Sequence, residues 1–151
     1  MTDVLALRSI AEELVFAGVT DVIVCPGSRS TPLALAVRAH PRLRVRVLLD
    51  ERSAGFFALG MARASRRPVA VIVTSGTAAA NLFPAVVEAS LARVSLLLLT
   101  ADRPPELQER GAPQTIDQVR LFGDYVRWFC QLPLLDGASE TRRHVRSVVG
   151  R

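Results

Sequence analysis

Four short apolar runs, each followed by a polar turn and a helical pattern, constrain the fold of this chain more than any other feature. The runs recur at intervals of about 25 residues, which is the length of one strand–helix unit. The run at 69–74 is continuously apolar, as expected of a strand that is covered on both faces. Right-handed helical crossovers between such strands predict a doubly wound parallel sheet between two helical layers, which is a three-layer α/β fold. The predicted strands are residues 21–25, 45–49, 69–74 and 95–100.

The helices are predicted from apolar periodicity and from their terminal residues. Thr31 caps the second helix with Pro32 at its first position, and Asp50 caps the third. Pro84 predicts a kink in the fourth helix. The predicted helices are residues 3–17, 32–39, 51–66, 78–92 and 140–151.

The pattern changes after the fourth predicted strand. Residues 102–117 are predicted as a loop with one helical turn at 106–109, and a loop of this length in a compact domain is usually functional. A short helix at 119–122 and a fifth strand at 125–132 follow. The last helix reaches Arg151 without a terminating residue, which indicates a domain truncated near its C-terminal end.

Composition favours a packed globular domain and disfavours several classes of function. Apolar residues make up 50% of the 151 residues, and the mean hydropathy is +0.29. The net charge is +5, and all 19 basic residues are arginines, which suit bidentate binding of carboxylates and phosphates. The arginines are dispersed and aromatic residues make up only 5%, so nucleic-acid binding is a minor alternative.

The cysteines and histidines form no catalytic or metal-binding pattern. Cys25 and Cys130 lack the spacing of a metal site, and His40 and His144 lack the partners of a histidine-based triad. The first residues lack a basic region followed by an apolar one, so we expect no secretory leader, and the apolar run at 94–99 is too short to span a bilayer. We therefore expect a cytoplasmic protein without membrane insertion.

Polar turns follow all four predicted strands, at the edge where parallel α/β sheets bind their ligands. Glu51 starts the third helix and lies at helical spacing from small residues that face the core. An inward carboxylate is costly unless it has a partner, although a glutamate at a helix start also stabilises the macrodipole without any further role. The turns are residues 26–30, 50–51, 74–77 and 101–105.

Two of these turns carry an arginine. Arg29 lies in a glycine-containing turn at a helix start, where it either binds an anion or is a solvent-exposed residue of a capped turn. Arg103 follows the fourth strand and either binds an anion or forms a surface ion pair with Asp102. The turn at 74–77 admits a flat ligand because its residues are small, but it lacks the lysine of a phosphate-binding loop.

Four strings of residues at these turns carry a resemblance. They are CPGSRSTPL from Cys25, DERSAG from Asp50, VTSGTA from Val73 with Asn81, and TADRPPEL from Thr100 followed by GAPQ from Gly111. Together they resemble the MenD family, the thiamine-diphosphate-dependent 2-succinyl-5-enolpyruvyl-6-hydroxy-3-cyclohexene-1-carboxylate synthases. The first and last strings are specific to this family, and the other two are shared more widely among thiamine-diphosphate enzymes.

The resemblance implies one domain of a larger enzyme. Residues 1–151 are similar to the N-terminal pyrimidine-binding domain, and the middle and diphosphate-binding domains are absent from them. The implied sheet order is 2-1-3-4-6-5, with five strands in residues 1–151 and the sixth missing. The fifth strand is then displaced, or pairs with the fourth, or another chain fills the gap.

The resemblance also implies a reaction of menaquinone biosynthesis. A transferase of this family decarboxylates 2-oxoglutarate and adds the succinyl group to isochorismate, with thiamine diphosphate and Mg²⁺ or Mn²⁺ as cofactors. Glu51 is the implied catalytic residue, through a hydrogen bond to N1′ of the cofactor's aminopyrimidine. The implied cofactor-binding residues are Glu51, Pro26, Gly76 and Thr77, and the implied substrate-binding residues are Ser28, Arg29, Arg103 and Gln114.

The implied assembly is a homodimer or homotetramer with the active site between subunits, so residues 1–151 alone are expected to be inactive. No metal ligand is expected within them, because the Mg²⁺ ligands belong to the diphosphate-binding domain. Two alternatives remain beside the MenD interpretation. One is another thiamine-diphosphate-dependent decarboxylase or synthase of 2-oxoacids, and the other is a non-catalytic, anion-binding Rossmann-like module.

Overall fold

The computed structural model describes residues 4–135 and 138–149, and within them four parallel strands form one sheet in the order β2-β1-β3-β4. The strands are β1 Asp21–Val24, β2 Arg44–Val47, β3 Val69–Val73 and β4 Leu96–Thr100. The helices are α1 Val4–Phe16, α2 Thr31–Ala39, α3 Glu51–Ser65, α4 Thr77–Ala80, α5 Phe83–Ala92 and α6 Ser139–Val149, and short 3-10 turns lie at Pro105–Leu107 and Gly123–Tyr125. The predicted helix start at Asp3 and helix end at Arg151 lie outside the described residues.

The central strands β1 and β3 are buried along their whole length, whereas β2 is a largely exposed edge strand. Val22 pairs with Val45 of β2 on one side and with Ala70 of β3 on the other. Because all three pairings are parallel, the carboxyl ends of the four strands lie at the same edge of the sheet.

Helices cover both faces of the sheet, so the predicted three-layer α/β class is confirmed. On one face Ile23 and Val71 pack against α3, α4 and α5, and on the other face Val22 and Ile72 pack against α1, α2 and α6. This alternation follows from the two-residue period of a strand. On α3 the core-facing residues are small, and a Cβ at Gly55 would lie 2.8 Å from the Cβ of Ala85 on α5.

Two helical predictions are corrected by the structure. The predicted kink at Pro84 is a complete break, because α4 ends at Ala80 and α5 begins at Phe83. Pro84 therefore lies in the first turn of α5, where its missing amide leaves no hydrogen bond unmade. The short helix predicted at 119–122 is a hydrogen-bonded turn that leads into the 3-10 turn.

The predicted fifth strand does not form, so the prediction of five strands is wrong for the described residues. Residues 126–135 pair with no strand, and β4 has no outer neighbour among the described residues. Val126 packs on the core beneath α3 and α5, whereas Leu132 and Leu135 pack on the core beneath α1 and α2. The segment thus passes from one face of the sheet to the other and is displaced from the sheet, which is one of the three arrangements we expected.

Candidate active site

The structure brings all the predicted site residues to the carboxyl edge of the sheet. Across the sheet, Glu51 follows β2, the turn at 26–29 follows β1, the turn at 76–77 follows β3, and Arg103 follows β4. Gln114 reaches the same edge through the long loop after β4. Backbone hydrogen bonds continue past the strands into the turns. The Cys25 amide donates to the Ile72 carbonyl at 2.9 Å, and the Ala101 amide donates to the Val73 carbonyl at 3.0 Å. The first residue after β1 and the first residue after β4 are therefore each bound to the neighbouring strand β3.

Glu51 and Asp50 have different surroundings although they are neighbours at the start of α3. The Asp50 carboxylate accepts from the backbone N–H of Ser53 at 2.8 Å, so its predicted role as the helix cap is confirmed. The Glu51 side chain is partly buried, and its carboxylate has no hydrogen bond or ion pair within residues 4–135 and 138–149. Capping is thus done by Asp50, which leaves the Glu51 carboxylate available to a ligand.

The pKa of the Cys25 thiol is raised by its surroundings at this edge. Its residue is 1% exposed, and burial together with the negative charges of Glu51 and Asp50 raises the pKa of the Cys25 thiol to about 11. The carboxylate of Glu51 therefore acts electrostatically on the end of β1. The thiol stays protonated near neutral pH, so it is not a nucleophile.

The turn after β1 is held by side-chain hydroxyl groups. The Ser30 and Thr31 hydroxyls both donate to the Gly27 carbonyl, at 3.1 and 2.9 Å. The prediction that Thr31 caps α2 is therefore wrong: the cap residue is Ser30, and its side chain makes no capping bond to a helix amide. A Cβ at Gly27 would lie 2.4 Å from the Cβ of Thr74, so this turn closely contacts the end of β3.

The predicted ligand residues of this turn point outward. Pro26, Ser28 and Arg29 are exposed or partly exposed, and Arg29 has no hydrogen bond or ion pair within the described part of the chain. Its side chain is available to an anion, although the alternative of a solvent-exposed arginine in a turn is equally compatible with this exposure.

Glycine is required at position 76 in the turn after β3. Gly76 has φ +75° and ψ −134°, a conformation that residues with a Cβ rarely adopt. A Cβ at this position would lie 2.6 Å from the carbonyl oxygen of Gln114. Gly76 is buried, whereas Thr77 is exposed at the start of α4. The loop after β4 therefore lies directly over this turn.

Arg103 binds the loop that follows it. Its Nη2 donates to the Pro113 carbonyl at 2.8 Å, and its Nε–H is buried without a partner within the described residues. The alternative of an ion pair with Asp102 is wrong, because the Asp102 carboxylate accepts from the backbone N–H of Arg103 at 2.7 Å and contacts no guanidinium within the described residues. An unpaired buried N–H is costly, so this atom is a candidate for binding a ligand oxygen.

Gln118 is a site residue that sequence reasoning missed. It is 7% exposed, its Oε1 accepts from the Gly76 N–H at 2.6 Å, and its Nε2 donates to the Ala101 carbonyl at 3.1 Å. A third contact joins the Ser75 hydroxyl to the Gln114 carbonyl at 2.9 Å. No local pattern marks Gln118, because its partners are backbone atoms 42 and 17 residues away.

Two cavities lie away from this edge of the sheet. One of about 430 Å³ lies at the amino edge of the sheet, next to Thr20 and Pro68, and one of about 510 Å³ lies between α1 and α6. Within the described residues, no three histidine, cysteine or acidic side chains are grouped to hold a metal ion, and no helix has the length and apolar character needed to cross a membrane.

Comparison with known proteins identifies the family. Residues 6–121 match the model described as thiamine pyrophosphate enzyme, N-terminal TPP binding domain. The chain belongs to this family. Thiamine pyrophosphate is a synonym of thiamine diphosphate, so the cofactor implied by the sequence is the one that defines the family. The matched region contains all the turns at the carboxyl edge.

Three similar relatives confirm the resemblance to MenD. Each is named 2-succinyl-5-enolpyruvyl-6-hydroxy-3-cyclohexene-1-carboxylate synthase. The relative from Chloroflexus aurantiacus is 70% identical over 132 residues, which cover 87% of this chain and 22% of the relative. Those from Geobacillus kaustophilus and Listeria innocua are 54% and 56% identical, covering 100% and 97% of this chain and 26% and 25% of themselves. The chain thus spans about a quarter of the length of these relatives.

The carboxyl edge of this TPP-binding domain fits the aminopyrimidine of the cofactor. The Glu51 carboxylate, which is unpaired among the described residues, can bond a ring nitrogen. Thr77 adds an exposed side chain with a hydroxyl at the start of α4. The missing side chains of Gly27 and Gly76 leave room for Thr74 and for the Gln114 carbonyl. The chain contains no lysine that could bind the diphosphate. Among the described residues, no group of histidine, cysteine or acidic side chains could hold its metal ion.

Proposed function

We propose that residues 1–151 are the N-terminal pyrimidine-binding domain of a MenD-type synthase. The reaction is the decarboxylation of 2-oxoglutarate and addition of the succinyl group to isochorismate, giving 2-succinyl-5-enolpyruvyl-6-hydroxy-3-cyclohexene-1-carboxylate for menaquinone biosynthesis. The observation that carries this proposal is the Glu51 carboxylate, which lies at the carboxyl edge of a TPP-binding domain and has no partner within residues 4–135 and 138–149. The names of the relatives supply the substrate class.

Glu51 is the catalytic residue of the proposal. Its carboxylate would share a proton with N1′ of the aminopyrimidine, and Pro26, Gly76 and Thr77 would hold the ring. When bound, thiamine diphosphate supplies the reactive carbon and the electron sink for decarboxylation. The protein contributes the proton at N1′ and the orientation of the ring, which is general acid–base catalysis together with positioning.

Arginine side chains bind the substrates, because both carry two carboxylates. The buried Nε–H of Arg103 has no partner within the described residues, and its Nη2 bonds a loop carbonyl that a carboxylate can replace. Arg29 is exposed and unpaired within the same residues. A guanidinium binds a carboxylate with two parallel hydrogen bonds. Ser28 and Gln114 complete the proposed substrate site.

The remainder of the active site lies outside residues 1–151 in this proposal. The middle and diphosphate-binding domains, with Mg²⁺ or Mn²⁺, account for the three quarters of the relatives that the chain does not span. A second subunit contributes the diphosphate-binding domain, giving a homodimer or homotetramer in the cytoplasm. Exposed aromatic side chains near α3 and α5 support such an interface; they are Phe56, Phe57, Phe83 and Tyr125.

The experiment joins residues 1–151 to the remainder of the Geobacillus kaustophilus relative, which matches the chain over its full length. We call this protein the complete enzyme. With thiamine diphosphate, Mg²⁺, 2-oxoglutarate and isochorismate, it should form the named product, as the unmodified relative does. Residues 1–151 alone should give no product and should bind the cofactor weakly in calorimetry.

Two results would redirect the proposal. If the complete enzyme binds thiamine diphosphate but consumes another 2-oxoacid, or another acceptor, the chain belongs to a different synthase or decarboxylase of the family. If it is folded and oligomeric but does not bind thiamine diphosphate, the anion-binding module is favoured. Tight Mg²⁺-dependent cofactor binding by residues 1–151 alone would contradict the proposed sharing of the site between domains.

A further inference from the structure

Gln118 joins the two parts of the carboxyl edge that the proposed function assigns to different ligands. One part is the turn after β3 with Gly76 and Thr77, which faces the cofactor in the proposal. The other is the segment after β4 that leads from Ala101 to Arg103, which faces the substrates. Gln118 accepts a hydrogen bond from the first part at 2.6 Å and donates one to the second at 3.1 Å.

The two hydrogen bonds determine how the amide of Gln118 is oriented. Within the side-chain amide, only Oε1 can accept from the Gly76 N–H, and only Nε2 can donate to the Ala101 carbonyl. The side chain is 7% exposed, so water competes little for either bond. Loss of such a bond leaves a buried backbone group without a partner, which weakens the link between the two segments.

A second contact connects the same two regions through the loop. The Ser75 hydroxyl donates to the Gln114 carbonyl at 2.9 Å, and Gln114 has φ +57°, an unusual conformation for a residue with a side chain. Gln114 is therefore held in place from the turn after β3. Gln118 lies four residues further along and anchors the end of this loop segment.

We propose that Gln118 is a positioning residue, which holds the turn of Gly76 in register with the loop that carries Arg103 and Gln114. The assignment of cofactor to one side and substrates to the other rests on the proposed function. Both side-chain partners of Gln118 are backbone atoms, so this role requires no contact between Gln118 and either ligand. Its effect is to couple the position of the cofactor turn to the position of the substrate loop.

Two substitutions distinguish the effects of the two hydrogen bonds of Gln118. Gln118→Glu keeps an acceptor for the Gly76 N–H but places a carboxylate oxygen against the Ala101 carbonyl, so the bond to the substrate side is lost. Gln118→Met has similar length and loses both bonds. Gln131→Met is the matched control, because Gln131 is exposed and its side chain has no partner within the described residues.

The experiment measures both ligands in the complete enzyme. For Gln118→Met we expect the Kd of thiamine diphosphate, from calorimetry, and the Michaelis constant for the 2-oxoacid substrate each to rise about tenfold. For Gln118→Glu we expect the Michaelis constant to rise by a similar factor while the Kd of the cofactor stays within about twofold. Gln131→Met should leave both constants unchanged.

A purely structural role would produce a different result. Such a role would lower Tm and the fraction of active enzyme, so kcat per mole of protein would fall while the Michaelis constant and Kd stayed constant, and this outcome would overturn the proposal. The same is true if Gln118→Glu and Gln118→Met raise the Kd of the cofactor equally, because the two bonds would then not act on separate sides.

Hydrogen exchange tests the positioning role independently of the proposed reaction. In Gln118→Met, amides in residues 73–78 and 101–118 should exchange at least about tenfold faster, while Gln131→Met leaves them unchanged. If the wild-type complete enzyme forms no product, the proposed function fails, but faster exchange together with a raised cofactor Kd still supports the role of Gln118. Unchanged exchange in both segments overturns it.

Discussion

The amino and carboxyl edges of the sheet differ in whether their polar side chains have hydrogen-bond partners. At the amino edge, Asp21 begins β1 and is only 4% exposed. Its carboxylate accepts from the Arg44 Nη2 at 2.6 Å, from the Arg46 Nη1 at 2.5 Å and from the Thr20 hydroxyl at 2.9 Å. Both oxygens of this acid are satisfied within the chain, so the amino edge holds the edge strand β2 in place.

The carboxyl edge differs, because two of its polar groups make no hydrogen bond or ion pair within the described part of the chain. The Glu51 carboxylate and the Arg103 Nε–H are unpaired among the described residues. A cavity beside the sheet nevertheless lies at the amino edge. The proposed function places the site at the unpaired polar groups and not at this cavity. Four substitutions test this contrast between the two edges.

Glu51→Gln should have the largest effect, and it should act on activity alone. We expect the kcat of the complete enzyme to fall about 10²- to 10⁴-fold, because the residue loses its capacity to share a proton. The free energy of unfolding should change by less than about 0.5 kcal/mol, since the carboxylate has no partner in the described structure. Turnover assays and urea denaturation measure the two quantities. A loss of stability with unchanged turnover would make Glu51 a structural acid like Asp21.

Gly76→Ala should have the next largest effect, on stability. The added Cβ would lie 2.6 Å from the Gln114 carbonyl, at a backbone φ of +75°. Strain and overlap together should cost about 2–4 kcal/mol. Gly60→Ala is the control, because Gly60 lies in α3 with nothing within 4 Å of an added Cβ, and it should stabilise the protein by about 0.5–1 kcal/mol. Equal effects of the two changes on the urea midpoint would contradict the close approach of the loop to Gly76.

Asp21→Asn should destabilise the protein in a manner that depends on pH. Burial raises the pKa of the Asp21 carboxyl, but the guanidinium groups of Arg44 and Arg46 outweigh burial and lower this pKa from 3.8 to about 2. Because the folded state binds the proton less readily than the unfolded state, the stabilisation is present above about pH 4 and is lost as the pH falls towards 2. At pH 7 the cost should be about 1–2 kcal/mol, since both arginines are partly exposed to water.

The measurement is urea denaturation of wild type and Asp21→Asn across this range of pH. The difference in unfolding free energy should shrink as the pH falls. Asp124→Asn is the matched control, because Asp124 is exposed and without a partner among the described residues, and its effect should stay below about 0.5 kcal/mol at every pH. A difference that is independent of pH would show that charge is not what Asp21 contributes.

Asp50→Ala should have the smallest effect. Loss of the hydrogen bond from the Ser53 N–H should cost about 1 kcal/mol of stability. Turnover should fall much less than in Glu51→Gln, because the carboxylate of Asp50 already has its partner in the helix. Thermal unfolding and turnover assays of the two variants, side by side, measure the contrast. If Asp50→Ala abolished turnover while keeping the fold, the division of roles between these adjacent acids would be wrong.

Much of the carboxyl edge could be predicted from sequence because the signals are local. The period of the apolar residues and the glycine turns place the four strands to within one or two residues, and Asp50 is recognisable as a cap. The fifth strand could not be predicted reliably, because a strand exists only with a neighbour, and residues 126–135 cross between the two faces of the sheet instead. Thr31 failed as a cap because its hydroxyl bonds the Gly27 carbonyl.

The order of residues along the chain was enough to show that four strand ends meet at one edge, since parallel strands with helical crossovers leave no other arrangement for their turns. It was also enough to show which acid and which arginines lie there. The folded chain was needed to show which of these charged groups are unpaired among the described residues. It was also needed to show that Gln118 binds distant backbone atoms. The physical reason is that the partner of a polar group depends on which atoms lie within about 3 Å of it after folding, and no local pattern specifies that distance.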